Sequence, residues 1–173
     1  MHTRRQQWIG CGCCLLGAAA LVGLFAMVGG PFAPFVVGAA VLVVLVSAAA
    51  YQLHRWKTVA EFRATYGVAG KDVLIVYSNS PHWGEYIESH WVARWGERAV
   101  MFNRSRPWSA EQIEARLWRA WAGGAEHTPV AIVVPASGRT RVVRFWRAFR
   151  DRKHGDVAKL RAAEEELARM LGE

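Results

Sequence analysis

Ser78-Asn79-Ser80-Pro81-His82 brings two hydroxyls, an amide and an imidazole together within five residues. A hydroxyl beside an imidazole is the raw material of nucleophilic catalysis, which needs a base bonded to the nucleophile and a third group orienting that base. His82 and His127 are the available bases, and Ser80 with His82 is the pair that could react or donate a proton. No Gly-x-Ser-x-Gly elbow accompanies them. The same five residues also suit anion binding. Ser80-Pro81 is a helix-start signal, and free N–H groups and the dipole at a helix start attract phosphate or carboxylate. The plain alternative is simple capping, with Ser80 satisfying its own helix.

A second cluster is basic. Arg139, Arg141, Arg144, Arg147, Arg150, Arg152 and Lys153 face one acidic residue, Asp151, in fifteen positions. Phe145, Trp146 and Phe149 are interleaved with them. Such a strip fits anionic lipid headgroups, an acidic protein, nucleic acid, or a solvated edge strand kept from aggregating by its charge. Metal chemistry is not supported. His82 and His90 are eight residues apart, more than two helical turns, so they cannot share an ion with Glu85 on one helix. Cys11, Cys13 and Cys14 crowd one helical turn with no His or carboxylate nearby. No phosphate loop or dinucleotide fingerprint occurs, and no cofactor is expected.

The elements that must position these residues follow from charge and periodicity. The chain has 173 residues and a net charge of +8, yet residues 8–53 contain no Asp, Glu, Lys or Arg. Residues 8–28 and 35–53 are each long enough and apolar enough to cross a bilayer as a helix. Gly29-Gly30-Pro31 to Pro34 separates them as a tight turn, so the expectation is a two-span transmembrane hairpin over 8–54. Arg4 and Arg5 precede it, Arg55 and Lys57 follow it, and the turn is uncharged. Both termini are therefore expected in the cytoplasm, with the protein in the cell (inner) membrane. A signal peptide would not supply the second span. The expected divisions are a cytoplasmic N-terminus over 1–7, the hairpin over 8–54, a juxtamembrane helix and linker over 55–70, and an α/β domain over 71–173.

In the last division short apolar runs alternate with helical patterns. Strands are expected at 72–78, 98–103, 129–135 and 141–146. Trp83, Ile87, Trp91 and Trp95 recur every four residues as one face of a helix starting at Ser80. Ser109 and Gln112 form a capping box for the next helix, with Ile113, Leu117, Trp118 and Trp121 inward and Gly123-Gly124 at its end. A last helix opens at Gly155-Asp156, with Val157, Leu160, Leu167 and Leu171 inward. The order is β-α-β-α-β-β-α. The two crossovers favour parallel strands, and the final hairpin adds an antiparallel edge.

This order, with Thr128-Pro129 before the third strand, resembles the thioredoxin-like fold over residues 70–171. The resemblance implies that this Pro is cis and faces the start of the first helix, which would bring His127, Thr128 and Pro129 to the Ser78–His82 turn. The family's paired cysteines would lie at that turn, where this chain has none, so the resemblance is to a redox-inactive member. The expected function is therefore a membrane-held, non-enzymatic binding or adaptor module. Its basic strip would meet membrane lipids or an acidic partner, in preference to nucleic acid because a tethered domain meets lipid first. The competing expectation is an enzyme acting on a small anionic substrate at the 78–82 turn.

Overall fold

The computed structural model describes residues 33–123 and 128–173, together with Gly23. The expected first span, its three cysteines and His127 lie outside the described residues, Gly23 apart. The chain divides into two units, Met1–His54 and Arg55–Glu173.

The first helix, α1, runs from Ala33 to Tyr66. Pro34 falls in its first turn, where a missing N–H costs nothing. One window of α1 has a mean hydropathy of 2.2, and it is the one described helix long and apolar enough to cross a membrane. Its stretch from 35 to 53 would span about 28 Å at 1.5 Å per residue, close to the ~30 Å hydrocarbon core. Beyond His54 the pattern changes: Thr58, Val59 and Phe62 are buried within the second unit. Gly70, at φ 72°, closes the turn that stops the helix, a conformation only glycine adopts without penalty.

Four strands form one sheet: β1 Val73–Tyr77, β2 Ala99–Asn103, β3 Val130–Val133 and β4 Arg141–Arg144. Their order across the sheet is β2-β1-β3-β4. β1 and β2 are parallel, with Tyr77 opposite Asn103. The expected parallel third strand is corrected: β3 lies antiparallel to β1, Val76 opposite Val130, and β4 antiparallel to β3. All four β3 side chains are buried, so the apolar run fixes a central position and carries no information about direction.

Helix α2 is made of three consecutive pieces, Gly84–Tyr86, Ile87–Trp91 and Val92–Trp95, the middle one a π turn. The π turn accounts for the four-residue stripe. Residues spaced strictly by four drift by about 40° per step around an α-helix. A turn closed by i→i+5 bonds holds more residues and cancels that drift. Ile87, Trp91 and Trp95 therefore all stay buried, with Trp83 half-buried. The expected helix start at Ser80 is corrected to Gly84, because Trp83 at φ −145° lies outside the helical region.

The third helix, α3, is Ile113–Ala122, ended by Gly123 at φ 78°. The expected helix start at Ser109, with its capping box, is corrected: Gln112 is the N-cap and makes no side-chain cap bond, and Ser109 instead belongs to the turn before the helix. Ser109 N–H donates to Gln112 Oε1 at 3.3 Å, and Glu111 N–H donates to Ser109 Oγ at 3.2 Å. The expected fourth strand ends at Arg144, and Trp146–Lys153 is a helix, α4, absent from the sequence expectation. The last helix, α5, is Ala158–Leu171, and Val157 is exposed, not inward.

The sheet is covered on both faces. Val73, Ile75 and Tyr77 pack with α2, α4 and α5 through Trp91, Phe149 and Leu167. Leu74 and Val76 pack with the end of α1 and with α3 through Phe62 and Trp118. Alternate β1 residues thus enter two cores, as a period of two requires.

Candidate functional site

The Ser78–His82 turn follows directly from the carboxyl end of β1. Ser80 dominates its geometry. Ser80 Oγ accepts from the His82 N–H at 3.3 Å. Its carbonyl accepts from the N–H groups of Trp83 (3.2 Å) and Gly84 (2.8 Å). The expected cradle of free N–H groups is therefore corrected: these three donors are consumed inside the turn. Ser80 Oγ meets a backbone N–H, and no imidazole is bonded to Ser78 or Ser80 among the described residues.

Asn79 is tied sideways. Its side-chain oxygen accepts from Asn103 Nδ2 at 2.5 Å, and its N–H donates to Ser105 Oγ at 3.0 Å. Asn103, itself buried, also accepts from Ser105 N–H at 2.9 Å. This lock joins the ends of β1 and β2. Sequence reasoning missed Asn103 and Ser105, although a strand ending in Asn with Ser two residues later is a recognisable turn signal. On the other side the Thr128–Pro129 bond is cis and Thr128 is buried. Continuing the β1–β3 register sets Pro129 beside Tyr77 and Thr128 beside Ser78. Ser78, Asn79, Ser80, Thr128 and Pro129 therefore share one end of the sheet.

His82 is exposed and belongs to a different feature. A groove of about 440 Å³ runs between the start of α2 and α4, bordered by Pro81, His82, Trp83, Tyr86, Phe149 and the cations Arg152 and Lys153. Arg152 stacks its guanidinium 4.2 Å from the centre of the Tyr86 ring, and His90 stacks on Tyr86 at 4.3 Å and 16°. Trp83 and Tyr86 meet Phe149 at 6.2 and 5.5 Å. Glu85, also on the border, is its one carboxylate. The turn is joined by this groove to α4, not to Arg104 or Arg106 on the loop after β2. The Arg104 guanidinium sits 4.3 Å from the Trp118 ring instead.

The seven cations of the basic segment do not form one face. Arg139 is exposed in the β3–β4 connection. Arg141 shares a sheet face with Val143 and Arg144 shares the opposite face with Val142, because strand side chains alternate. On α4, Arg147 and Arg150 are exposed on the side away from buried Ala148 and Phe149, while Arg152 and Lys153 border the groove. Asp151 accepts from Lys159 at 2.6 Å and from Arg150 at 3.3 Å. The Lys159 hydrogen bond holds the Asp151 carboxyl below its ordinary range.

Two tyrosines, one at the end of β1 and one in α2, are perturbed. Tyr77 donates to Glu88 at 2.5 Å, and burial followed by that bond pushes its hydroxyl up to about 12. Tyr86 donates to Glu164 at 3.0 Å and is raised by burial first and then by Glu164. Among the described residues no group of three or more His, Cys, Asp or Glu could hold a metal ion. No family model matches the chain, and no curated protein or solved structure matches it.

Proposed function

We propose that the chain is a membrane-anchored binding module. In this reading 8–28 and 35–53 form a two-span hairpin, and both termini and the α/β domain are cytoplasmic. The domain is a thioredoxin-like fold without redox thiols. The strand order β2-β1-β3-β4, with β3 alone reversed, supports that assignment. The exposed cations of α4, Arg147 and Arg150, are its contact with the anionic leaflet, and an acidic protein is the competing partner.

The observation that carries the reading is the continuity of α1. The helix that is uncharged from 35 to 53 runs on to Tyr66, where it supplies Val59 and Phe62 to the core of the second unit. A domain joined to an anchor in this way meets lipid at high effective concentration.

The test is co-sedimentation of residues 55–173, which carry their own core, with anionic and with neutral vesicles at two salt concentrations. Each cation near an anionic surface contributes about 1 kcal/mol. Arg147→Ala with Arg150→Ala should therefore weaken binding by roughly 30-fold. Pelleting that is equal on neutral vesicles, or unchanged in the double variant, refutes the lipid contact. Protease digestion of a C-terminal tag in inside-out vesicles, with protection in right-side-out ones, is the expected result for the orientation.

A further inference from the structure

We propose that the groove between α2 and α4 binds a small ligand carrying a phosphate on a flat aromatic body. This inference does not depend on the lipid contact, which uses Arg147 and Arg150 and neither of the groove cations Arg152 and Lys153.

Two observations carry it. The first is charge. Arg152 and Lys153 come from adjacent positions on α4, and among the described residues neither makes an ion pair. Glu85 is the single carboxylate on the border, so the groove stays net cationic before either histidine is counted. Guanidinium and ammonium together suit a dianionic group with three terminal oxygens. The second is the aromatic wall. Trp83 is half-buried against buried Phe149 and offers indole surface to a flat apolar body, while the Tyr86 ring, stacked by Arg152 and His90, holds the Arg152 guanidinium in place. The volume, about 440 Å³, is within the range of small-molecule sites.

The functional consequence is a division of labour on α4. Arg147 and Arg150 face outward, and Arg152 and Lys153 read a soluble ligand between the helices. No covalent step is implied: the turn supplies no activated nucleophile, and the groove does no more than bind.

The experiment is titration calorimetry on the full chain in neutral detergent, with phenyl phosphate, inorganic phosphate and phenol as probes. Phenyl phosphate is expected to bind at least tenfold more tightly than inorganic phosphate or phenol. Arg152→Gln or Lys153→Gln should weaken phenyl phosphate at least fivefold. Trp83→Leu should weaken phenyl phosphate and leave inorganic phosphate unchanged, and Arg147→Gln with Arg150→Gln should change neither. Lys153 is exposed, so its variant keeps the fold, and near-ultraviolet circular dichroism checks each protein. No saturable binding, equal affinity for phenyl phosphate and inorganic phosphate, or an equal loss in the Arg147/Arg150 variant overturns the proposal. Anionic vesicles add a further arm. If they displace phenyl phosphate, and Arg152→Gln with Lys153→Gln abolishes vesicle binding, the groove is part of the lipid surface and the separate site is refuted.

Discussion

Glu164 on α5 holds two donors from α2. It accepts from Trp91 Nε1 at 2.7 Å and from the Tyr86 hydroxyl at 3.0 Å. Trp91 is almost fully buried, so Glu164→Ala leaves its indole N–H without a partner, at a cost of about 1–3 kcal/mol. Tyr86 is half-buried and its hydroxyl can turn to water, which adds less than about 1 kcal/mol. The expected total is about 2–3 kcal/mol, or roughly 8–12 °C in Tm for a domain of this size. Glu164→Gln keeps an acceptor oxygen in place and loses only the charge-assisted part, about 1 kcal/mol. The assay is thermal unfolding of the full chain in detergent, followed by near-ultraviolet circular dichroism, which reports the packed tryptophans. The coupling is also measurable. In a Trp91→Phe background the donor is already gone, so Glu164→Ala should cost at least about 1 kcal/mol less than in the parent chain. Equal losses for Ala and Gln, or strict additivity with Trp91→Phe, would show that Glu164 acts through packing or long-range charge and would refute the reasoning.

Gly96→Ala places a Cβ against the Val92 carbonyl oxygen at the end of α2, so a loss of about 1–3 kcal/mol in the same melt is expected. Gly84→Leu should disturb the Ser78–Asn79 turn, because the atoms nearest a Cβ at Gly84 belong to those residues, whereas Gly84→Ala fits with ordinary contacts. Chemical-shift changes at Asn103 and Ser105 amides check this. Tyr77 is raised above its unfolded value near 10, so the stability it contributes is full below pH 10 and is lost as pH rises through about 12. Tyr77→Phe should flatten that alkaline decline in a pH series of melts. Ser80→Ala removes one hydrogen bond within the turn, so it should cost no more than about 0.5–1.5 kcal/mol and leave phenyl phosphate binding unchanged in calorimetry.

Much of the sheet was legible because its strands are continuous apolar runs: Val73–Tyr77 and Val130–Val133 are buried at every position. Strand direction was not legible, since a residue buried on either face looks the same in sequence whichever way the chain runs. Helix α4 was missed for a different reason. Arg141-Val142-Val143-Arg144-Phe145-Trp146 continues a strand-like pattern into the helix. Only Ala148 and Phe149 are buried within the eight residues of α4, too few to show a period of 3.6. The π turn had a visible signal, since a stripe spaced strictly by four does not fit an ideal α-helix, but spacing alone places no bulge. The groove stayed hidden because it is built from α2 and from an unrecognised helix some sixty residues further on.

The turn and the groove compete as the seat of recognition, and hydrogen bonding decides between them. At the turn, the N–H groups of His82, Trp83 and Gly84 are already paired with Ser80. An anion bound there must break bonds with a net worth of about 0.5–1.5 kcal/mol each before it gains any. In the groove, Arg152 and Lys153 have no carboxylate to displace among the described residues, and Arg152 is held in position by the Tyr86 ring. A ligand there adds charge-assisted bonds without dismantling any ion pair, and part of the side-chain entropy is already lost in the unliganded protein. The serine-rich turn that draws the eye in the sequence is therefore scaffold. It fixes the end of β1 to Asn103 and sets the starting angle of α2, and the chemistry of recognition passes to the cations that α4 brings across.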